Sequence, residues 1–284
     1  MMTNASELQK KASLFSSLHH GPRILILANA WDAASARIFE VAGCPAIATT
    51  SAGVAFSLGR RDGQQLRREE MLEVVQRITG AVSIPVTADM EAGYGETPEG
   101  VAETVRAVLA AGAVGMNLED AEPGTHVLAE ISLQVEKIKA VREAAKSAGV
   151  EFVLNARTDV FLRAVGDPAS RLEHAIRRAN AYIEAGAGCV FVPGVTDRET
   201  IATLAREIRG PLNILAMAGV PPAAELEDLG VRRISVGSGP MRATMALTRR
   251  IARELLDSGT YAAITESTIP GQEANQLFLA QEKR

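Results

Sequence analysis

Residues 83–91 read SIPVTADME, an apolar and β-branched run that ends directly in two acids, Asp89 and Glu91. Residues 113–120 read AVGMNLED and repeat the pattern, ending in Glu119 and Asp120. Carboxylates that follow a buried strand so closely need a neutralising cation, a bound proton or access to water. Neither cysteine nor histidine lies nearby in sequence, and oxygen ligands suit Mg2+ or Mn2+. The two segments therefore predict strands that end at a site for a hard divalent cation.

The same alternation of strand-like and helical segments runs through the whole chain. Candidate strands are 24–28, 46–49, 84–88, 114–118, 152–155, 189–192, 212–216 and 233–236; helical spacing covers 32–41, 68–79, 98–110, 131–148, 168–185, 197–208, 222–229 and 241–256. Most of these helical segments end in glycine shortly before the next strand, as expected for a left-handed cap. About eight β-then-α units, with strands too continuously apolar for a wet face, favour an α/β fold of the (β/α)8 TIM-barrel type over a doubly wound sheet.

The chain length of 284 residues suits one large barrel domain, residues 1–284. Residues 1–20 are predicted to form a leading helix outside the repeat. Residues 258–284 are a C-terminal extension, in which a proline and a glycine precede a helical stretch at 273–281. This extension is expected either to pack on a neighbouring subunit, as an exchanged helix, or to lie on the surface as a tail.

Composition narrows the classes of partner and compartment. The chain is 47% hydrophobic, and its net charge of -4 comes from 30 basic and 34 acidic side chains mixed along the sequence, so no basic face for nucleic acid is expected. Cys44 and Cys189 lie in separate apolar stretches and are interpreted as core thiols rather than a disulfide. Residues 1–17 are polar, and no apolar run approaches about 18 residues, which predicts a cytoplasmic protein without a membrane partner.

Polar and glycine-rich segments follow most of the predicted strands, where a barrel carries its active site. They are Asn29, 50–53, Asp89 with Glu91, Glu119-Asp120, Arg157 and 237–239. Strand alternation places Asp89 and Glu91 on one face, although Glu91 could also be a solvated loop acid. Arg157 suits bidentate binding of a substrate carboxylate, with a structural salt bridge to Asp159 or Asp120 as the alternative.

Five motifs, in this order and spacing, are similar to those of the isocitrate lyase/phosphoenolpyruvate mutase superfamily. They are NAWDAASAR (29–37), TSAG (50–53) running to LGRRD (58–62), ADMEAGYG (88–95), LED (118–120) and NARTD (155–159). The resemblance spans residues 25–245 and implies that Mg2+ stabilises an enolate oxygen while a C–C or P–C bond forms or breaks. It also implies a homotetramer that exchanges C-terminal helices.

The resemblance assigns roles to particular residues. Asp89 would hold Mg2+ most directly, and Asp62, Glu91 and Glu119 would assist through bound water. Ser51, Ala52 and Gly53 would bind substrate oxygens through their main chain, Arg157 would bind the substrate carboxylate, and Asn213 is a further substrate-binding candidate. The catalytic candidates are Asp62, Glu119, Arg157 and His126.

Two segments depart from the superfamily pattern. Residues 121–128 read AEPGTHVL and lack the cysteine of isocitrate and methylisocitrate lyases, as well as the lysine and asparagine typical of phosphonopyruvate enzymes. His126 is the only group in this loop that titrates near neutral pH, unless it simply faces solvent. Residues 192–194 read VPG where family lyases tend to carry a glutamate. Methylisocitrate and isocitrate are therefore expected to be poor substrates.

The function expected first is a Mg2+-dependent lyase that cleaves a C–C bond in a small α-keto or 2-hydroxy di- or tricarboxylate, such as an oxaloacetate- or malate-like compound. The first alternative is a mutase or hydrolase that acts on the P–C bond of a phosphonopyruvate-like substrate. A second is a barrel of another class with a phosphate cradle built from 217–219 and 237–239. A third is a barrel that binds keto acids without turning them over.

Overall fold

The structure is a computed structural model that describes residues 5–266 and 268–279, and its centre is a closed barrel of parallel strands. The strands are β1 Leu25–Ala30, β2 Ile47–Thr49, β3 Val86–Asp89, β4 Gly115–Glu119, β5 Val153–Arg157, β6 Cys189–Phe191, β7 Leu212–Leu215 and β8 Arg233–Ser235. Each strand pairs with the next in sequence, and β8 pairs with β1. The expected (β/α)8 barrel is confirmed.

Helices surround the barrel and extend beyond it at both ends of the chain. Their bounds are α1 Ala5–Leu18, α2 Ala33–Val41, α3 Ser51–Ser57, α4 Arg68–Ala81, α5 Pro98–Ala110, α6 Ile131–Ser147, α7 Arg171–Glu184, α8 Arg198–Glu207, α9 Ala223–Asp228, α10 Gly239–Asp257, α11 Ala262–Thr265 and α12 Gly271–Leu279. Among the described helices, none is long and apolar enough to cross a membrane.

The strand register brings the polar residues together at one end of the barrel. Asp89 pairs with Asn117 in the register of β3 and β4, and Glu119 pairs with Arg157 in that of β4 and β5. These residues lie at or near the carboxyl ends of their strands. Because all strands are parallel, the carboxyl ends meet at the same rim, which is the face where barrels carry their active sites. We refer to this rim as the mouth.

Helix α1 covers the opposite end, the base of the barrel. Phe15 of α1 is fully buried, and a Cβ atom at Gly115, the first residue of β4, would come within 3.0 Å of its ring and within 2.6 Å of the Val153 carbonyl oxygen. Only glycine therefore fits at this position. His19, near the end of α1, lies 3.5 Å from Arg233 at the start of β8. The leading helix is thus a plug that seals the base.

The structure moves several predicted boundaries by one to three residues. Strands β3, β4 and β5 extend one or two residues further than expected, so Asp89, Glu119 and Arg157 end the strands instead of following them. The segment expected as a loop after β2 is the first turn of α3, a helix that sequence reasoning missed. The C-terminal extension forms α11 and α12, and the predicted helical residues 280 and 281 lie outside the described part. Both cysteines are free thiols, but only Cys189 is the buried core thiol that was expected, since Cys44 is half-buried.

Candidate active site

Asp89 is held rigidly at the centre of the mouth. It is 8% exposed, and its Oδ2 accepts hydrogen bonds from the Ser51 N–H at 2.9 Å and the Ser51 hydroxyl at 2.8 Å. Its Oδ1 accepts one from Asn117 Nδ2 at 3.3 Å, and its backbone N–H donates to Thr49 Oγ1 at 2.8 Å. These donors fix the carboxylate without supplying a full positive charge. Asp89 therefore remains available to a cation.

Glu91 lies close to Asp89 and is buried to the same degree, at 8% exposure. Burial raises the pKa of Glu91 to about 8, and the negative charges of Asp89 and Asp62 add to this effect. Its Oε1 accepts a hydrogen bond from the Tyr94 hydroxyl at 3.4 Å. The expectation that Glu91 is a solvated loop acid does not fit this burial. Without an added cation, Glu91 is therefore mostly protonated at neutral pH.

The backbone around Glu91 is strained. Glu91, Tyr94 and Gln64 all adopt left-handed conformations, with φ of 49°, 51° and 58°. Non-glycine residues in this region cost free energy and persist only where the surrounding structure enforces them. Gln64 also accepts a hydrogen bond from the Ala92 N–H at 3.3 Å, which ties the loop before α4 to the loop after β3. The strain is concentrated at the mouth, as is common at functional sites.

Arg157 is the cation nearest these acids. Its Nη1 donates to Glu119 Oε1 at 2.6 Å, while its Nε and Nη2 donate to Asp159 at 2.6 and 3.1 Å. Burial raises the pKa of Glu119 well above its ordinary value, and Arg157 opposes that shift. The structure contains the salt bridge to Asp159 that was the alternative interpretation of Arg157, and these bonds leave one unused hydrogen on each terminal nitrogen. Those two hydrogens are available to a substrate carboxylate.

Asp159 fixes the orientation of the Arg157 guanidinium by accepting hydrogen bonds from its Nε and Nη2. It is fully buried, and it also accepts a hydrogen bond from Arg163 Nε at 3.0 Å. Arg163 in turn donates to the Thr125 carbonyl oxygen in the loop after β4. From the sequence, Asp159 was expected only as a salt-bridge partner of Arg157. Its role in linking Arg157 to this loop depends on Arg163, which no local sequence pattern indicates.

Asp120, which the sequence grouped with Glu119, lies on the other side of the strand. Its carboxylate accepts hydrogen bonds from Tyr182 at 2.8 Å, from Arg178 at 3.2 Å and from the Asp159 N–H at 3.0 Å. Successive residues of an extended chain point to opposite faces, so Asp120 does not join Glu119 in the salt bridge to Arg157. By the same alternation Asn117 shares the face of Glu119 and lies against Asp89. That residue was missed, although the period of two could have identified it.

The remaining predicted site residues differ in how close they come to the acids. Asp62 lies on an exposed loop and accepts the Gly63 N–H at 2.9 Å. Desolvation raises its pKa, and the charge of Asp89 adds to the shift while Arg157 opposes it, which places Asp62 near the mouth. Asn213 is instead fully buried inside the barrel, and its amide exchanges hydrogen bonds of 3.0 and 3.2 Å with Ser235. It is not brought together with the acids.

The predicted main-chain cradle forms the first turn of α3. The Ser51 N–H already donates to Asp89, and the Gly53 N–H donates to Thr50 Oγ1 at 3.3 Å as part of the helix cap. Ala52 supplies the one N–H of the three that neither Asp89 nor Thr50 engages. The cradle therefore offers one free N–H group instead of the three that the sequence suggested. The difference arises because the sequence did not indicate that Thr50 caps a helix here.

His126 lies on an exposed hairpin-like loop above the mouth. The loop is closed by a bridge between Ala121 and Leu128 and by a hydrogen bond of 3.0 Å from the Glu122 N–H to the Val127 carbonyl oxygen. His126 itself is exposed and does not line the cavity beside Glu119. In this conformation it is separated from the acids.

The acids suit Mg2+ in chemistry, but they do not enclose it. In residues 5–266 and 268–279, no three side chains of His, Cys, Asp or Glu are grouped closely enough to hold a metal ion by themselves. Mg2+ commonly keeps several waters and takes one or two carboxylates plus substrate oxygens. An all-oxygen set with Asp89 as the direct ligand and Glu91 buried and short of counter-charge fits that mode of binding.

A second cavity lies on the far side of the mouth. It has a volume of about 760 Å3 and is lined by Met217, Ala218 and residues 237–239, together with Arg242 and Arg249. Parts of both segments suggested as a phosphate cradle therefore face one cavity, but Gly219 does not line it. Arg242 was missed by the sequence analysis, because it sits one turn into α10 and not directly after a strand.

Comparison with known proteins agrees with this geometry. The profile of the family described as phosphoenolpyruvate phosphomutase matches residues 15–256. The chain belongs to this family. The structure of 2,3-dimethylmalate lyase, a member of the PEP mutase/isocitrate lyase superfamily, superposes with a TM-score of 0.82 at 27% identity, over 96% of each chain. The family resemblance proposed from the motifs is confirmed.

Relatives within the family carry different descriptions. An uncharacterized protein of Mycobacterium tuberculosis is 35% identical, with 86% of this chain and 89% of the relative aligned. The 2-methylisocitrate lyase of Escherichia coli is 28% identical over 87% and 84% of the two chains. A candidate lyase/mutase from Burkholderia cenocepacia superposes with a TM-score of 0.90 at 37% identity, covering 96% and 97%. A candidate phosphonomutase from the same organism superposes with a TM-score of 0.83 at 42% identity, covering 87% and 99%.

Proposed function

We propose that this protein is a Mg2+-dependent lyase that cleaves a C–C bond in a small α-keto or 2-hydroxy di- or tricarboxylate of the oxaloacetate or malate type. The observation that carries the proposal is that Asp89, Glu91 and Glu119 are buried near one another at the mouth, where burial and the charges of Asp89 and Glu91 raise the pKa of Glu119, and that Arg157 binds Glu119. A buried acidic cluster next to one guanidinium is complementary to a divalent cation together with an anionic substrate.

Each residue of the mouth has a proposed task. Asp89 would bind Mg2+ directly, with Asp62, Glu91 and Glu119 acting through water, and the bound cation would supply positive charge to a developing enolate oxygen. Arg157 orients the substrate carboxylate with its two unused N–H groups. Asp159 keeps the Arg157 guanidinium in place by accepting hydrogen bonds from its Nε and Nη2. Mn2+ could take the position of Mg2+, because it prefers the same oxygen ligands.

Protonation of the product is assigned to water. The loop after β4 holds no cysteine or lysine, and His126 is exposed outside the cavity. General acid–base groups typically contribute about 10² to 10⁴ in rate. Methylisocitrate and isocitrate, which family lyases handle with a loop cysteine, are therefore expected to be poor substrates of this chain.

The alternative reaction is mutase or hydrolase chemistry at a P–C bond. It is favoured by the 42% identity to the candidate phosphonomutase from Burkholderia cenocepacia. Against it stands the absence of lysine and asparagine from residues 121–128. Phosphate release from phosphonopyruvate would identify this activity directly.

The test is a substrate screen in which oxaloacetate, 2,3-dimethylmalate, methylisocitrate and phosphonopyruvate are each incubated with the protein and Mg2+. Mg2+ alone accelerates loss of oxaloacetate, so the blank is the Asp89→Asn variant at the same metal concentration. We expect product release that depends on both Mg2+ and Asp89, with little turnover of methylisocitrate. Mg2+-dependent binding of keto acids without product from any of the four compounds would instead identify a keto-acid binding barrel.

We also propose that the chain forms a homo-oligomer, a tetramer by the family resemblance, through α10. None of the residues of this helix is buried, and it exposes Met245, Leu247, Leu255 and Leu256. A helix of 19 residues with an apolar face is typical of a surface covered by another chain. Light scattering should give a mass of four chains, and Leu255→Glu combined with Leu256→Glu should reduce it.

A further inference from the structure

A cavity of about 680 Å3 opens beside the acids, between the loops that follow β3 and β4 and the first turns of α6. Tyr94 and Glu119 line its inner end, so it is continuous with the mouth. Its far wall is formed by Gln134 and Lys137 of α6, which are one helical turn apart and share a face. Neither residue has a role in the proposed reaction.

Gln134 and Lys137 are buried and unsatisfied. Gln134 has no exposed surface, and among the described residues neither its Oε1 nor its Nε2 has a hydrogen-bond partner. Lys137 is 8% exposed, and in the described part of the chain no hydrogen bond or ion pair within 4.0 Å reaches its ammonium group. Desolvation lowers the pKa of Lys137, and the more distant charges of Glu96 and Glu122 oppose that shift. An unpaired amide is costly to bury, so Gln134 indicates a missing partner, whereas the Lys137 ammonium group keeps some accessible surface and lines the cavity without a partner among the described residues.

The other polar groups of the cavity already have partners or face water. Glu119 is paired with Arg157, and Asp120 is paired with Arg178. Glu96 and Glu122 are exposed at the rim. The free hydrogen-bonding capacity inside the cavity is therefore an ammonium group, which can only donate, and one amide, which can do both. This combination is complementary to an anionic oxygen group.

We propose that Lys137 and Gln134 form a subsite for a second, distal carboxylate of the substrate, whose keto- or hydroxy-acid end lies at Asp89 and Arg157. The inference rests on the proposed function and assigns the residues that would bind the distal carboxylate of its di- or tricarboxylate substrate. Small apolar groups of Ala121, Ala129 and Leu133 also line the cavity. They suit the short hydrocarbon chain that would join the two ends.

The first test uses ligands that differ only in the distal group. 2-Oxoglutarate and 2-oxopentanoate share a five-carbon chain and the keto-acid end, and only the first carries the distal carboxylate; 2-oxoadipate and 2-oxohexanoate form the same pair one carbon longer. We expect calorimetry with Mg2+ to show the diacid of at least one pair binding at least tenfold more tightly than its partner. Lys137→Met should remove that preference.

The control is Lys139→Met on the same helix. Lys139 is exposed and paired with Glu136 at 2.8 Å on the surface, so its loss changes the net charge equally and leaves the cavity intact. This variant should keep the preference for diacids. If the parent protein shows no preference in either pair, or if both variants behave alike, the subsite does not exist.

Gln134→Leu separates a binding role from a structural one. Leucine has a similar size and removes two buried, unpaired polar atoms, so the variant should unfold at a higher temperature than the parent while losing affinity for the preferred diacid by at least threefold. A lower melting temperature with unchanged affinity would show that Gln134 has an internal partner and would overturn the proposal.

The subsite can be judged even if the proposed function fails. Mg2+-dependent binding of oxalate, which is too short to reach α6, tests the acids and Arg157 alone. Crystals soaked in glutarate without metal test the cavity alone, and a carboxylate is expected within hydrogen-bonding distance of Lys137 Nζ. Oxalate binding without glutarate at Lys137 would leave the lyase proposal standing and refute the subsite. Glutarate at Lys137 without oxalate binding would do the reverse.

Discussion

The two ends of the barrel both bury charge, but with opposite sign and with different means of compensation. The mouth collects Asp89, Glu91 and Glu119 and supplies one guanidinium, and a cavity of about 680 Å3 opens beside it. The base buries Arg233 under the plug of α1; Arg233 has no exposed surface, and within residues 5–266 and 268–279 its Nε and Nη2 have no partner. A site that is open to solvent can bind a cation or a substrate. In a site that is closed to solvent, the pKa values of the buried groups shift instead.

The pKa shifts differ between the open mouth and the closed base. At the base, burial lowers the pKa of His19 to about 3, with Arg233 adding to the shift, and burial lowers the pKa of Arg233 to about 10. His19 therefore stays neutral beside the arginine at physiological pH. At the mouth, burial and like charge raise the pKa of Glu91, a shift that a bound cation would reverse. Substitutions at the mouth should thus change activity more than stability, and substitutions at the base the opposite.

The largest effect is expected for Asp89→Asn. The variant keeps the shape of the side chain but removes the charge that binds the cation, so kcat/KM should fall by at least about 100-fold, corresponding to several kcal/mol of lost charge stabilisation. Calorimetry should show loss of Mg2+ affinity. The free energy of unfolding should change by less than about 1 kcal/mol, because one source of repulsion also disappears.

Asp228→Asn is the matched control for this prediction. Asp228 is exposed at the end of α9, far along the chain from the acids, so the same change in charge should leave Mg2+ binding unaltered. Unchanged Mg2+ affinity in Asp89→Asn would show that the cation binds elsewhere.

A smaller effect is expected for Arg157→Lys. Lysine preserves the charge but loses the planar fork that contacts Glu119, Asp159 and the substrate carboxylate together, which should weaken kcat/KM by about 1.5–3 kcal/mol. Steady-state kinetics should place most of the loss in KM, because the carboxylate is bound in the ground state as well as the transition state. A variant that matches the parent would make Arg157 a purely structural residue that serves Asp159.

At the base the expected effect is on stability and depends on pH. The pKa of His19 in the folded protein, about 3, lies below the ordinary value of 6.5, so the unfolded chain binds the proton more tightly. Its contribution is fully present above pH 6.5 and is lost as pH falls towards 3, amounting to about 2 kcal/mol between pH 7 and pH 5. Urea unfolding of His19→Asn at both pH values should show a smaller decrease than the parent. His20→Asn, at the exposed neighbouring position, should behave like the parent.

The fold could be predicted from the sequence because its signals are local and repeated. Apolar runs and helical spacing recur about eight times, and glycine caps follow most of the helices, so an error of one or two residues at any boundary does not alter the architecture. The site was predicted less completely. Asp89, Glu119 and Arg157 end neighbouring strands, and strand order alone brings them together. Positions that depend on helix capping or on a third element were harder to foresee, as Ser51 and Asp159 show.

Asp120 and Asn213 show that prediction from sequence also fails to recognise polar groups that already have partners. Both are polar residues in or beside a strand, yet one is bound by Arg178 and Tyr182 outside the barrel and the other by Ser235 within it. Their partners are distant in the chain, on α7 and β8. No pattern near Asp120 or Asn213 could have indicated that these groups were already satisfied.

The smallest effect is expected for His126→Gln. The histidine belongs to the mouth by sequence but is exposed on the loop and does not line the cavity, so removal of its imidazole ring should change kcat by less than about twofold. The pH–rate profile should likewise keep its shape. A silent substitution would favour protonation by water, and it would make decarboxylation or hydrolysis more attractive among the family's reactions.

A tenfold loss of kcat together with loss of a limb of the pH–rate profile would instead show that the loop closes over the bound substrate and carries His126 to the reacting atoms. The division between an open mouth and a sealed base would then hold only for the protein without substrate.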